Sequence, residues 1–137
     1  MEDFYTGPER REFVRLPYST PLAYKVCKPE TLSKMLGGYT VNVSQAGLLC
    51  SIKDEVKVDD IIWLSFDKSI LIFCTEIERH SFIYQNGIIG KVVRVSRSES
   101  KMYDIGVKFI TLEDKDSFHI KEQTEMLRHE LGGNEKT

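Results

Sequence analysis

Two short clusters carry residue types whose spacing could do chemistry. The first is Arg10-Arg11-Glu12-Phe13-Val14-Arg15. Pro8 before it and Pro17 after it disfavour a lasting helix. In an extended chain Arg11 and Arg15 stand about 13 Å apart and point to the same side. A guanidinium is a planar fork of donors suited to phosphate oxygens and to the O6/N7 edge of guanine. It also stacks on aromatic rings. Two such forks on one segment suit a compact ligand with two phosphates and two purines. The same residues would equally serve as a solvated arm with ion pairs to Glu9 and Glu12. The second cluster is Asn42-Val43-Ser44-Gln45-Ala46-Gly47. Asn42 and Ser44 share the polar face of an alternating strand, with Val41 and Val43 expected in the core. An Asn amide donates and accepts, so it can read a purine edge. The Ser44 hydroxyl can bond a phosphate oxygen or a base. Gly47 would permit a left-handed turn or a close ligand approach that a side chain would block. A polar strand end followed by an ordinary turn accounts for the same residues.

Other chemistry is poorly represented. There is no nucleophile elbow and no glycine-rich phosphate loop before a helix. The acidic pairs Asp59-Asp60 and Glu113-Asp114 fall in connections, where they suit turns and caps. Cys27, Cys50 and Cys74 are odd in number and widely spaced, against a disulfide framework or a zinc cluster. His80, His119 and His129 show no metal-ligand spacing. The expectation is a binding protein rather than an enzyme, with no metal and no cofactor. The 137 residues are 41% apolar and 29% charged, an ordinary globular composition. A net charge of −2 gives no fold-wide basic footprint for DNA or RNA. The longest apolar run, residues 70–74, is far short of the roughly 20 residues of a spanning helix. No leader opens the chain, so a soluble, cytoplasmic protein is expected.

The elements that must position the two clusters follow from periodicity. Val14, Leu16, Tyr18, Leu22, Tyr24 and Val26 all fall at even positions, the period of a strand. Pro17 and Pro21 make it an edge or irregular one. Residues 29–36 suit a short helical turn ended by Gly37-Gly38. Tyr39, Val41 and Val43 alternate with Thr40, Asn42 and Ser44, and the apolar set is expected inward. Further strands are expected over residues 48–52, 61–67, 70–78, 82–85, 88–95 and 103–111. Asn86-Gly87 is expected to form a two-residue hairpin turn. After Leu112 the period changes. Phe118, Ile120, Leu127 and Leu131 recur at helical spacing, and Glu113, Asp114 and Asp116 suit a first turn. A helix over 113–131 is expected, its apolar stripe on the strands. Short strands followed by one helix imply a small antiparallel barrel with a C-terminal helix. The 69–85 segment carries Arg79, His80, Phe82 and Tyr84, suited to a partner surface, a lid or a plain elongated hairpin. Across residues 91–108, Lys91, Arg94, Arg97, Lys101 and Lys108 outweigh Glu99 and Asp104. They could extend an anion-binding surface or form a solvated face.

Taken in order, the two clusters resemble the signature of the PilZ domain, RxxxR followed further on by (D/N)xSxxG. Arg11-Glu12-Phe13-Val14-Arg15 and Asn42-Val43-Ser44-Gln45-Ala46-Gly47 carry it here. Gly90-Lys91-Val92-Val93-Arg94 and Ile105-Gly106-Val107-Lys108-Phe109 also resemble strands of that barrel. The resemblance covers about residues 9–131. It implies an all-β domain, a small six-stranded antiparallel split barrel with a C-terminal helix. A flexible arm over residues 1–8 and a disordered tail over 132–137 would flank it. Members typically bind the bacterial second messenger cyclic di-GMP. The resemblance thus implies a non-catalytic receptor in which Arg11 and Arg15 contact guanine edges and phosphates. Asn42 and Ser44 would read the guanine, Gly47 would hold the turn open, and Arg10 would add a phosphate contact. Binding would change the conformation and signal to an unidentified partner protein. A monomer or homodimer is expected, without DNA, RNA or membrane insertion. The alternative is a nucleotide-independent interaction adaptor of the same fold. A binder of single-stranded nucleic acid would need exposed aromatics interleaved with basic residues. Tyr39, Phe66 and Phe109 instead fall in apolar sets expected in the core.

Overall fold

The computed structural model describes residues 15–98 and 100–127. The expected arm, Arg10, Arg11, Leu131 and the expected tail lie outside the described residues. The strands are β1 (Leu16–Pro17), β2 (Pro21–Val26), β3 (Leu36–Val43), β4 (Gly47–Ile52), β5 (Ile61–Phe66), β6 (Ile83–Tyr84), β7 (Gly87–Arg97) and β8 (Tyr103–Phe109). Two helices join them, α1 (Cys74–His80) and α2 (Phe118–Leu127). Antiparallel pairing runs β3, β2, β5, β7, β8, β4, and β4 returns to β3, closing a six-stranded barrel. Closure removes the open edges that a sheet of this length would otherwise present. Outside the ring, β1 pairs with β3 and β6 pairs with β7.

Alternation fills the barrel. Val43, Leu48, Val107 and Val92 lie in one buried row across β3, β4, β8 and β7. Cys50 and Ile105 continue the buried set one step along. The segment around α1 adds Leu71, Phe73 and Ile77 to the barrel core. A second core lies outside the barrel, where Ile120 and Leu127 of α2 pack on Ile61, Trp63 and Ile89.

Five expectations are corrected. Residues 70–78 form a turn and the start of α1, not a strand. Phe73 and Ile77, four residues apart, are buried on one helical face, while Ile70 and Ile72 are 71% and 87% exposed. A short apolar run carries no period that separates strand from helix. The hairpin turn sits one residue earlier than Asn86-Gly87. The positive φ values belong to Gln85 (53°) and Asn86 (63°), and Tyr84 pairs with Gly87. Gly87 is instead required by packing: a Cβ there would lie 2.3 Å from the Trp63 indole, whose Nε1 donates to the Tyr84 carbonyl at 2.7 Å.

On β3 the expected inward set is split. Val43 is fully buried, but Tyr39 and Val41 are 55% and 41% exposed, and Thr40 is buried in their place. The register shifts between Thr40 and Asn42, so Val41 is the extra residue of a β-bulge, which resets the alternation. Gly37-Gly38 lies within β3 rather than breaking the chain before it. Finally, α2 starts at Phe118 rather than 113. A turn closed by Asp114 N–H on the Thr111 carbonyl (3.0 Å) and hydroxyl (3.3 Å) occupies the expected first helical turn. Phe118 is 80% exposed, so the packed stripe among the described residues is Ile120 and Leu127. Phe66 is half-buried against the core and Phe109 is buried. No helix among the described residues is long and apolar enough to cross a membrane.

Candidate functional site

The backbone brings the two clusters together through β1. Its short pairing with β3 sets Leu16 opposite Val43 and Pro17 opposite Asn42. Beyond β1 the chain stays fastened to β3. Tyr18 N–H donates to the Val41 carbonyl at 3.0 Å, and Thr40 N–H donates to the Thr20 carbonyl at 2.9 Å. The buried Thr40 hydroxyl accepts from Thr20 N–H at 3.0 Å and donates to the Tyr18 carbonyl. A polar residue inside the barrel wall is thus explained by the two backbone groups it satisfies. These bonds fix the chain immediately after Arg15.

Arg15, one residue before β1, therefore projects over β3. Its Nη1 donates to Asn42 Oδ1 at 2.9 Å, across 27 residues of sequence. Arg15 is exposed and Asn42 is half-buried. A guanidinium carries five N–H donors and no acceptor. One bond to Asn42 orients the fork and leaves its remaining donors to an anion. The Asn42 amide nitrogen keeps its own two donors. The arrangement can grip a phosphate and address a purine edge from the same spot.

Ser44 and Gly47 play a different part in this structure. Ser44 is buried, and its Oγ accepts from the N–H groups of Ala46 and Gly47, each at 3.2 Å, and donates to the Gly47 carbonyl at 3.2 Å. Ser44 N–H also donates to the Gly47 carbonyl at 2.8 Å. The hydroxyl is thus committed to the turn that joins β3 to β4, a role short hydroxyl side chains take readily. That turn sets the end of β3 on which Asn42 sits. The left-handed conformation expected at Gly47 is absent, since among the described residues no glycine has a positive φ. What forbids a side chain is β8: a Cβ on Gly47 would lie 2.3 Å from the Val107 carbonyl oxygen. Arg10 and Arg11 lie outside the described residues.

Around Asn42 the outward surface of the barrel holds residues that the motif reading missed. Asn42 pairs with Leu49, and Leu49 with Gly106. These three form an outward row between two buried ones. Leu49 and Gly106 thus give Arg15 and Asn42 a low apolar floor. Only the cross-strand register could have found them, because 42, 49 and 106 share no sequence spacing. The thiols lie elsewhere: burial pushes Cys27 and Cys50 up to about 12, so both stay protonated and inert near neutral pH. Among the described residues no cluster of His, Cys, Asp and Glu is placed to hold a metal ion.

Comparisons with known proteins bear on this arrangement. Among solved structures, the inhibitor of motility MotI/DgrA from Bacillus subtilis aligns with a TM-score of 0.50 at 13% identity, over 89% of this chain and 52% of that one. The chain thus spans about half the length of that protein. The PilZ domain of YcgR from Escherichia coli, solved with c-di-GMP, gives a TM-score of 0.49 at 10% identity, over 93% of this chain and 95% of that one. The PilZ domain of CeSA from a cellulose-synthesizing bacterium gives 0.38 at 14% identity, over 88% and 98%. At such identities the likeness to MotI/DgrA is one of fold. A search of curated protein sequences found no significant match. The family model for the PilZ domain matches residues 9–125, a span that holds both motif clusters, all of the barrel and most of α2, and the chain therefore belongs to the PilZ domain family.

Proposed function

We propose that this chain is a receptor for cyclic di-GMP that changes conformation on binding and signals to a partner protein. The family is one of binding and adaptor proteins, and it binds this nucleotide. The observation that carries the reading here is the 2.9 Å contact between Arg15 and Asn42. One residue from each motif meets on an open barrel face, with spare donors on both. In the bound complex Arg15 addresses a phosphate or stacks on a guanine, and Asn42 reads the guanine edge. Arg11 and Arg10 close on the ligand from the chain before β1. Ser44 and Gly47 contribute by holding the β3–β4 turn, which positions Asn42. The complex then presents a surface of nucleotide and arginines that the free protein lacks, and a partner protein recognises it. No step needs catalysis, a metal or a cofactor. We place the protein in the cytoplasm, where such a nucleotide would be met.

Calorimetric titration of the purified chain tests this, with GTP and the linear dinucleotide as controls. The expected result is saturable binding of the cyclic dinucleotide alone, weakened at least ten-fold in Arg11→Ala and Arg15→Ala. Absence of binding by the unaltered chain, or unchanged affinity in both variants, overturns it. The adaptor reading draws on the exposed Ile70 and Ile72 beside α1. It would be favoured by a partner retained equally with and without nucleotide.

A further inference from the structure

The outward row that begins at Asn42 does not end at Gly106. Gly106 pairs with Arg94 on β7, so Asn42, Leu49, Gly106 and Arg94 form a line across β3, β4, β8 and β7. Buried rows flank it on both sides, with Val43, Leu48, Val107 and Val92 on one and Cys50 and Ile105 on the other. Both ends are marked by a bulge. The register shifts between Thr40 and Asn42 on β3 and between Val92 and Arg94 on β7. Each bulge puts an extra residue outward, Val41 (41% exposed) and Val93 (47% exposed). Each also re-aims the polar side chain that follows, a recurrent use of bulges near binding sites.

The side chain of Arg94 lies against Gly106. A Cβ placed on Gly106 would meet Arg94 Cβ at 3.4 Å and Arg94 Nε at 3.9 Å. These are ordinary contact distances, so a methyl would fit beside the arginine, while a branched side chain would compete with its stem, which leans from β7 over β8 toward β4. No carboxylate among the described residues forms an ion pair with Arg94. Its guanidinium is thus carried inward along the row, toward the end where Arg15 is bonded to Asn42. The whole row spans three inter-strand steps of about 4.8 Å. Arg94 has covered about one of them. What remains is an interval floored by the half-buried Leu49 and closed by an arginine at each end. A flat apolar floor between two guanidinium groups suits a purine ring with its phosphate.

We propose, on the reading that the ligand is cyclic di-GMP, that Arg94 is a further binding residue. It contacts a phosphate or purine of the nucleotide held by Arg15 and Asn42, with its stem lying against the bare backbone of Gly106. The charge on the rest of the face supports the same side. Lys108 follows Gly106 on β8 at the next outward position, so the site extends toward a second cation. Asp104 stands at the outward position on the opposite side and would repel a phosphate.

Titration with cyclic di-GMP of the unaltered chain, R94A, R94K, G106V, R15A and R97A tests the proposal. Arg97 is the control, since it lies over the Tyr103 ring at 5.5 Å and outside the row. Charge-assisted bonds of the usual strength correspond to at least a ten-fold change in affinity. R94A is expected to bind at least ten-fold more weakly, and R94K to recover part of the loss because charge survives without the fork. G106V removes no charge but occupies the path of the arginine, and is expected to weaken binding comparably. R97A is expected to change affinity less than two-fold. If the unaltered chain binds and R15A abolishes binding while R94A is unchanged, the role of Arg94 is overturned and the ligand stands. An equal loss in R97A and R94A also overturns it, because net charge would then suffice. Absence of binding by the unaltered chain removes the ligand and this site with it.

Discussion

Gly47→Ala separates a structural demand from a ligand-access demand at the motif glycine. The added Cβ would stand 2.3 Å from the Val107 carbonyl oxygen. Ordinary carbon–oxygen contacts begin at roughly 3.3 Å, so β4 and β8 must part by about 1 Å at this point. An N–H···O bond of about 2.9 Å stretched by that amount is lost. The bond at risk is Phe109 N–H to the Ala46 carbonyl (2.9 Å), which spans that gap. Losing that bond costs about 0.5–1.5 kcal/mol, and overpacking adds about 1–3 kcal/mol. The expected destabilisation is about 2–4 kcal/mol, a large part of the roughly 5–15 kcal/mol of a typical domain. Urea unfolding followed by Trp63 fluorescence reads it as a midpoint lowered by about 1–2 M at unchanged slope. Affinity for the nucleotide falls as well, because the turn anchors Asn42. If Gly47→Ala unfolds within about 0.5 kcal/mol of the unaltered chain, the close-approach argument is wrong. A loss of affinity alone would then restore the view that the glycine serves the ligand directly.

Other outcomes follow from the same contacts. Gly87→Ala drives a methyl into the indole of Trp63; a loss of about 1–3 kcal/mol and a red-shifted emission from this Trp are expected, and an unchanged spectrum would contradict the packing. Thr40→Val removes the hydroxyl that serves Thr20 N–H and the Tyr18 carbonyl. It should cost about 1–3 kcal/mol and weaken nucleotide binding by loosening the chain behind Arg15, while full stability in denaturant melts would speak against the tether. Alkaline pH should unfold the protein. Burial raises Cys27 and Cys50 to about 12 and holds the Tyr24 hydroxyl above its usual range, with Asp54 nearby adding to it. Each group is neutral when protonated, so its stabilisation is complete below its unfolded-state value, about 8.5 for Cys and 10 for Tyr. It is lost as pH rises through the interval up to the folded value. Thermal melts are expected to decline from about pH 8.5 upward, with the decline shallower in a Cys27→Ala, Cys50→Ala double variant relative to its own value at pH 7. An identical slope in that variant would refute the assignment.

The sequence by itself determined the family-level features. Two arginines four apart, and an Asn, Ser and Gly at fixed spacing, can be read without coordinates because each motif is local. Most barrel strands came through because β-branched and aromatic residues recur at period two in Leu22, Tyr24 and Val26, and again across β7 and β8. The hairpin at 83–88 and the C-terminal helix announced themselves by turn residues and by a change of period. Periodicity failed where a tertiary contact overrode it. Tyr39 and Val41 look inward in the sequence, yet one bulge residue turns both out and puts Thr40 in, and a bulge leaves no compositional mark. Residues 70–74 are apolar throughout, so only packing against the barrel core decides that Leu71 and Phe73 are buried while Ile70 and Ile72 are not.

The site divides in the same way. That Asn42 and Arg15 belong together was legible from the motif pair, but their contact exists because β1 adds to β3 in one register. Gly47 was legible as a glycine and not as to why, since the obstructing carbonyl belongs to Val107, 60 positions along the chain. The row that joins Asn42 to Leu49, Gly106 and Arg94 was beyond the sequence altogether. Strand neighbours in a closed barrel are set by ring order and register, and hydrogen bonds between strands carry no trace in either strand's own composition. A local pattern fixes what a residue can do, and the pairing of distant segments fixes what it does it with.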